Sequence, residues 1–183
     1  IPDPAMALSK MLATLVDEKG RIAIPGVLDG IKPMTDAEKK EYATMPFEEK
    51  LFREQSGMLP SVQLFKDPSV PNPLVQLFRS PSLTINAVQA SSRQQAGNII
   101  NDAAWAKVTI RVVPGMDPER VLNLLRDHLK KQAPWGCDVT FKTESCSPAW
   151  STTPEGPVFE AASRALEKGY GHKPYKMGCG GSI

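Results

Sequence analysis

The stretch that decides the fold covers residues 97–114 and reads Gly-Asn-Ile-Ile-Asn-Asp-Ala-Ala-Trp-Ala-Lys-Val-Thr-Ile-Arg-Val-Val-Pro. From residue 104 to residue 113 the side chains alternate with a period of two, which predicts a strand with one buried face. The apolar face carries Ala104, Ala106, Val108, Ile110 and Val112, and the other face carries Trp105, Lys107, Thr109 and Arg111. Proline and glycine at 114 and 115 end the strand.

The polar face of this strand has two interpretations. It ends in Arg111 and follows a loop that holds Asn98, an arrangement that suits a face turned toward a ligand. A sheet face that is simply solvated explains the same alternation, and the pattern alone favours that simpler interpretation.

Composition narrows the class of protein. The 183 residues are enough for one domain with a real core, or for one domain and part of another. Twenty-two basic and 20 acidic residues give a net charge of +2, so neither nucleic acid nor an anionic membrane is an expected partner. No apolar run approaches the roughly 20 residues that a membrane span needs, and no signal peptide is visible.

The cysteines and the chain ends carry further expectations. Cys137, Cys146 and Cys179 are odd in number and lack CxxC spacing, which fits a reducing, cytoplasmic setting and neither a disulfide framework nor a zinc knot. The chain starts at Ile1 and stops just after a glycine cluster, so we expect a fragment of a longer protein.

Local patterns predict the remaining elements of the first part. Asp3-Pro4 and Asp117-Pro118 each combine an N-cap with a first-turn proline, and they open predicted helices over 3–19 and from 117 to before residue 134. Alternation predicts two more strands, over 83–88 and 137–142. The result is an α+β fold of ferredoxin-like type, in which helices cover one face of an antiparallel sheet. That face is predicted to contain Leu83, Ile85, Val108, Ile110, Val139 and Phe141.

The segments outside this pattern are less regular. Residues 25–80 read as an insertion with a capping box at Thr35 and Glu38, a helix to about residue 43, a helical stretch over 46–57 and a proline-rich loop. A linker, a helix over 157–168, a short strand over 174–177 and a glycine-rich loop follow. We therefore predict a first domain over 1–146 and part of an α/β domain over 147–183.

Few side chains suggest chemistry by themselves. The two histidines, His128 and His172, stand apart, and no HExxH or similar ligand cluster occurs. Cys179 and Ser182 each lack a recognisable base and orienting group. Ser182 does lie in a glycine-rich loop, where backbone N–H groups suit a carboxylate or a phosphate.

Four segments, in order, make the sequence similar to the M20 metallopeptidases, which include carboxypeptidases, carnosinase-type dipeptidases, desuccinylases and deacetylases. The segments are Leu-Thr-Ile-Asn (83–86), Gly-Asn-Ile-Ile (97–100), Thr-Ile-Arg-Val-Val-Pro-Gly-Met-Asp-Pro-Glu (109–119) and Gly-Gly-Ser-Ile (180–183). The opening Pro-Asp-Pro-Ala-Met-Ala-Leu resembles the helix after the family's His-Ser-Gly motif, and residues 25–80 resemble the insertion of the dipeptidase branch.

This resemblance implies a two-domain hydrolase with two zinc ions in its catalytic domain and a lid domain through which it forms a homodimer. The expected substrate is a small peptide or N-acyl amino acid with a free carboxylate. Arg111 matches the lid arginine that holds this carboxylate. Asn98 matches a lid residue that polarises the scissile carbonyl, often from the partner subunit. Gly180, Gly181 and Ser182 match a loop at the carboxylate end of the substrate.

Two departures bear on this expectation. The family's zinc ligands, including its His-x-Asp motif, are not in these residues, and Asn101 stands where the family usually has proline. We therefore expect this stretch alone to bind no stoichiometric zinc and to hydrolyse nothing. A non-catalytic ferredoxin-like module for dimerisation or small-ligand binding remains the alternative hypothesis.

Overall fold

The computed structural model describes residues 1–94 and 96–179. They form two compact units: the first comprises Ile1–Lys32 and Pro81–Ala149, and the second comprises Pro33–Ser80 and the residues from Trp150 on. In chain order the described elements are α1 (Pro4–Ala13), α2 (Asp36–Ala43), α3 (Glu49–Gln55), α4 (Pro73–Arg79), β1 (Ser82–Gln89), β2 (Trp105–Arg111), α5 (Pro118–Gln132) and α6 (Pro157–Tyr170).

The two long helices of the first unit begin where the cap signals predict. The Asp3 carboxylate accepts a hydrogen bond from the backbone N–H of Ala5 at 3.0 Å, and the Asp117 carboxylate accepts one from Glu119 at 3.0 Å. Helix α1 ends at Ala13, earlier than predicted. The chain then turns back through residues 14–21, so that Val16 and Ile22 form an isolated antiparallel bridge.

The core of the first unit lies between the helices and one face of the hairpin. Its buried side chains are Met11, Leu12, Leu15, Ile22, Ile24, Val27, Val113, Met116, Val121 and Leu129. Leu83, Val108 and Ile110 pack against this cluster, as the alternation predicts. The α+β class is therefore confirmed.

A β-bulge changes the far half of the hairpin. The strands pair antiparallel with Ser82 opposite Arg111, and the register shifts between Ile85 and Ala87. The prediction that Ile85 lies in the covered face is therefore wrong. Ile85 is 41% exposed, because the bulge bends the strand just after it. Beyond the bulge the faces reverse, since Ala87 lies opposite Lys107 and Val88 lies opposite Ala106.

The predicted third strand, over residues 137–142, is not a strand. The predicted apolar side of this segment does face the core, because Val139 and Phe141 pack against the buried cluster. The two residues that follow shortly after, Thr143 and Glu144, form side-chain hydrogen bonds. Lys107 donates to Glu144 at 2.5 Å, and Arg126 donates to Thr143 at 2.5 Å. A strand also requires a ladder of backbone hydrogen bonds, and no described strand provides one here, since the sheet comprises only β1 and β2.

The second unit is mainly helical. Helix α2 has the predicted capping box, with both of its hydrogen bonds present, whereas α3 begins at Glu49, later than expected. Helix α4 was not predicted: Asn72 caps it and Pro73 opens it, a signal obscured by the proline-rich surroundings. The short strand predicted over 174–177 is wrong, because the described backbone forms no strand there.

Candidate functional site

Arg111 is the last residue of β2 and lies on the face turned away from the core. Its side chain is exposed, and within the described part of the chain no group forms an ion pair or hydrogen bond with it. A guanidinium presents a planar fork of donors that matches a carboxylate. Arg111 is therefore available to bind an anion.

Lys107, two positions from Thr109 in the same row, differs from Arg111 because it is paired. Its ammonium lies 2.5 Å from a Glu144 carboxylate oxygen. Hydrogen bonding from Lys107 and its positive charge lower the pKa of Glu144 below the ordinary value. Of the two cations on this face of β2, the arginine is thus the one left for a ligand.

The structure adds one polar residue that sequence reasoning missed. Asn86 is the bulged residue of β1, and its Oδ1 accepts a hydrogen bond from the Thr109 hydroxyl at 2.5 Å. Because the oxygen of the amide is used, its NH₂ group remains as a donor on the face that carries Arg111. One sequence signal pointed to it, because asparagine is disfavoured inside strands.

Asn98 lies in the loop between Gln89 and Trp105 and is exposed. Gln89 and Trp105 pair at one end of the hairpin, whereas Arg111 pairs with Ser82 at the other end. Six residue steps of extended chain separate the two ends of β2, about 20 Å. The loop with Asn98 therefore leaves the hairpin at the end opposite to Arg111.

The remaining predicted site residues, Gly180, Gly181 and Ser182, lie outside the described residues. The chain that leads to them is described as far as Cys179. Gly178, two residues before Gly180, packs closely on Phe78: a Cβ added at Gly178 would lie 2.7 Å from three atoms of that side chain.

The described residues do not fit a metal ion. They contain no group of three or more His, Cys, Asp or Glu side chains that could hold one. His128 has a different role: its Nε2 lies 2.8 Å from the Thr14 hydroxyl, which donates its own hydrogen to the Met11 carbonyl at 2.7 Å. The histidine nitrogen is then the donor, and it ties α5 to the end of α1. No described helix is long and apolar enough to cross a membrane.

Comparison with known proteins identifies the class. Residues 1–137 match the M20 peptidase dimerisation domain. The whole chain aligns with 38% of the Cys-Gly metallodipeptidase DUG1 of Saccharomyces cerevisiae, at 31% sequence identity. The whole chain also aligns with 38% of the cysteinylglycine-S-conjugate dipeptidase of Corynebacterium striatum, at 28% sequence identity. Human carnosine dipeptidase 1 shares the fold, with a TM-score of 0.84 over 100% of this chain and 39% of that one at 24% identity.

The chain belongs to the M20 peptidase dimerisation domain family. The resemblance inferred from the four sequence segments is confirmed. The chain spans about 38% of the length of these two curated relatives, both of which are named dipeptidases.

Proposed function

We propose that this chain is the lid part of a metal-dependent hydrolase that cleaves a peptide or N-acyl amide bond in a small substrate with a free carboxylate. Two of its curated relatives, at 31% and 28% identity, are named Cys-Gly and cysteinylglycine-S-conjugate dipeptidases. A dipeptide with a small C-terminal residue is accordingly the first substrate to test. Within the proposal, residues 1–146 form the lid domain and residues 147–183 begin the returning catalytic domain.

The observation that carries the proposal is the exposed Arg111 without an ion-pair partner among the described residues, in a domain of a peptidase family. In our proposal the guanidinium holds the substrate carboxylate in a two-point contact, which fixes the direction of the dipeptide as well as its affinity. Gly180, Gly181 and Ser182 are proposed to contact the same end of the substrate through backbone N–H groups and a hydroxyl.

Two amides are proposed to act on the scissile carbonyl. The loop that holds Asn98 leaves the hairpin at the end opposite to Arg111. This position supports a role for Asn98 at the substrate of the partner subunit. Asn86 lies on the face of Arg111, and its NH₂ group is a candidate donor within the same subunit. Each would stabilise the negative charge that develops on the carbonyl oxygen during attack.

A homodimer through this domain is part of the proposal. Among the described strands β1 pairs only with β2, so its other edge offers unpaired backbone groups to a second copy. The nearby loop presents two exposed apolar side chains, Ile99 and Ile100, which suit an interface. Both features support self-association.

The metal is proposed to lie outside this stretch. One relative is named a metallodipeptidase, and we propose two zinc ions held by residues beyond these 183, because the described residues do not fit a metal. The chain alone should then neither bind stoichiometric zinc nor hydrolyse dipeptides. Cys137, Cys146 and Cys179 are unpaired, which supports a reducing, cytoplasmic setting.

Arg111→Ala in the full-length enzyme tests the proposal, with Arg111→Lys as the conservative variant. Losing a charged hydrogen bond to the substrate should lower kcat/KM about ten- to a hundredfold, equivalent to roughly 1.5–3 kcal/mol. Lysine should recover part of this loss, since it keeps the charge but lacks the fork. Stability should change by no more than about 0.5 kcal/mol, because the side chain is outside the core.

Lys107→Ala is the matched control, since it removes a cation from the same face of β2 that is already paired with Glu144. It should leave kcat/KM nearly unchanged. Equal effects of the two alanine variants would contradict a specific role for Arg111. Failure of the zinc-loaded full-length protein to hydrolyse any dipeptide would favour the non-catalytic module.

A further inference from the structure

Thr109 and Asn86 form a side-chain pair on the face of the hairpin that carries Arg111. The Thr109 hydroxyl donates to Oδ1 of Asn86 at 2.5 Å. Both residues are exposed, and neither belongs to the apolar cluster of the first unit. Because an exposed hydrogen bond between uncharged groups adds little to folding stability, packing and stability do not explain the pair. What the hydrogen bond does determine is the orientation of the Asn86 amide.

The β-bulge decides which side chain of β2 meets this amide. The register shifts between Ile85 and Ala87, so Asn86 is the extra residue and has no residue directly opposite. In a regular ladder it would lie opposite Lys107, but Ala87 takes that position. The amide is bonded to Thr109 instead, and it therefore lies toward the end of the hairpin that carries the arginine.

The hydrogen bond from Thr109 distinguishes the two ends of the Asn86 amide. The oxygen of a carboxamide accepts hydrogen bonds and its NH₂ group donates them, and a rotation by 180° exchanges the two. With Oδ1 bonded to Thr109, the NH₂ group is left on this face, and within the described part of the chain it has no hydrogen-bond acceptor. Accepting a hydrogen bond at the oxygen also polarises the amide, which makes its N–H groups stronger donors.

The amide lies within reach of the same substrate as Arg111. Thr109 precedes the arginine by two residues in β2, so both lie on one face, about 7 Å apart along the strand. In a dipeptide the C-terminal carboxylate and the scissile carbonyl are one residue apart, about 3.5 Å. A guanidinium and an amide that start from this spacing can converge on the two groups.

We propose that Thr109 is a positioning residue for hydrolysis: its hydroxyl holds the Asn86 amide with the NH₂ group turned toward the substrate. The inference rests on the proposed function, in which this NH₂ group stabilises the negative charge that develops on the scissile carbonyl oxygen. An amide rotated by 180° would present its own oxygen to that charge and repel it. Without the hydrogen bond from Thr109 both orientations are populated, and only part of the enzyme carries a correctly placed donor.

The test is Thr109→Val in the full-length enzyme, which replaces the hydroxyl by a methyl group and keeps a β-branched side chain suited to a strand. Because the donor acts on the transition state, kcat should fall about three- to tenfold while KM stays unchanged. Thr109→Ser keeps the hydroxyl and should retain a kcat within about twofold of the wild type.

Thr84→Val is the matched control. Thr84 lies directly opposite Thr109, on the same face, and its hydroxyl forms no hydrogen bond among the residues that the structure describes. The control therefore removes the same group from the same surface without touching the Asn86 amide. It should leave kcat and KM unchanged.

Asn86→Ala provides the second arm, because it removes the donor itself and should lower kcat about a hundredfold. Adding Thr109→Val to it should have no further effect, since the two residues act as a unit. A loss from Thr109→Val that persists after Asn86→Ala would overturn the proposal. So would a loss no larger than that of Thr84→Val, or a Thr109→Ser variant as slow as Thr109→Val.

The failure of the proposed function would look different. If Asn86→Ala leaves kcat unchanged, or if the zinc-loaded wild type cleaves no dipeptide, the amide does not act on a scissile carbonyl, and the proposed function is refuted together with the inference. If Asn86→Ala slows the reaction and Thr109→Val does not, only the positioning role is refuted. Hydrogen exchange of β1 and β2 in the two single variants and the double variant reports independently whether the two side chains are coupled.

Discussion

The two compact units are stabilised in different ways. In the first unit a continuous apolar cluster joins α1, α5, the turn after α1 and one face of the hairpin. In the described residues of the second unit, only Met45 and Val75 are buried apolar side chains. That unit relies instead on a capping box at Thr35, a buried amide at Asn72 and an aromatic pair.

The two units should therefore respond differently to substitution. The hairpin carries Arg111 on a face opposite a large core, so its polar side chains can change without opening a cavity. The second unit has little apolar burial, and its helices are held together largely by local polar and aromatic contacts. We therefore expect substitutions in the first unit to act on global stability and substitutions in the second to act locally.

The largest contrast is expected from the matched pair Val27→Ala and Val75→Ala, since both valines are fully buried. Each substitution removes about 1.6 kcal/mol of apolar transfer free energy, and a cavity adds to this cost. Val27 lies in the continuous cluster, which can relax only partly, so we expect about 2–3 kcal/mol there. Val75 should cost about 2 kcal/mol, because its surroundings can collapse more easily.

Hydrogen exchange resolved by segment in the full-length protein distinguishes the two effects. Val75→Ala should accelerate exchange in α2 and α4 and leave α1, α5 and β2 unchanged. Val27→Ala should accelerate exchange in the first unit. If either variant loosens both units equally, the two do not behave as independent regions.

The next contrast concerns helix caps. Asn72→Ala removes both the cap of α4 and the buried hydrogen bond to the Met45 carbonyl, whereas Asp117→Ala removes an exposed cap of α5. Loss of a cap costs about 1 kcal/mol, and a buried carbonyl without a partner adds at least about 1 kcal/mol. We expect about 2 kcal/mol for Asn72→Ala and about half of that for Asp117→Ala.

Exchange of the amides in α4 and in α5 measures these two costs separately. The two variants serve as controls for each other, because each leaves the other helix intact. Equal costs would show that the second hydrogen bond of Asn72 contributes nothing to the second unit.

Features that depend on neighbours in sequence were predictable. The caps at Asp3 and Asp117 and the capping box at Thr35 require residues only two or three positions apart, and all three are present. The apolar face of β2 follows from alternation within one strand. These signals were sufficient for the α+β class and for placing Arg111 away from the core.

Features that depend on contacts through space were not predictable. The bulge at Asn86 reverses one end of β1 because of its pairing with β2, which alternation in one strand cannot reveal. Residues 137–142 have the side-chain pattern of a strand, yet a strand is defined by a backbone partner. Gly178 and Phe78 are a hundred residues apart, and nothing near either residue indicates their contact.

The smallest expected effect concerns the capping box of α2. The Thr35 backbone N–H donates to the Glu38 carboxylate at 2.7 Å, and this bond, helped by the Thr35 hydroxyl and by Arg79, lowers the pKa of Glu38. Because the pKa of Glu38 is lower in the folded state, its ionised carboxylate stabilises the helix at pH values above the ordinary pKa of 4.5. This stabilisation is lost as the pH falls through the pKa of the folded state. We expect α2 to lose about 0.5 kcal/mol between pH 6 and pH 3.5, since the group is partly exposed and screened by solvent.

Glu38→Gln should abolish this pH dependence and cost only a few tenths of a kcal/mol at pH 6, because a glutamine oxygen still accepts the Thr35 N–H. The matched control is Glu41→Gln, which removes the same charge from the same helix at a carboxylate without a hydrogen-bond partner among the described residues. Exchange of the α2 amides, corrected for its intrinsic pH dependence, measures both. If Glu38→Gln and the wild type lose the same stability on acidification, the carboxylate of the capping box does not hold this helix. The polar stabilisation of the second unit would then come from other contacts, such as the buried amide of Asn72.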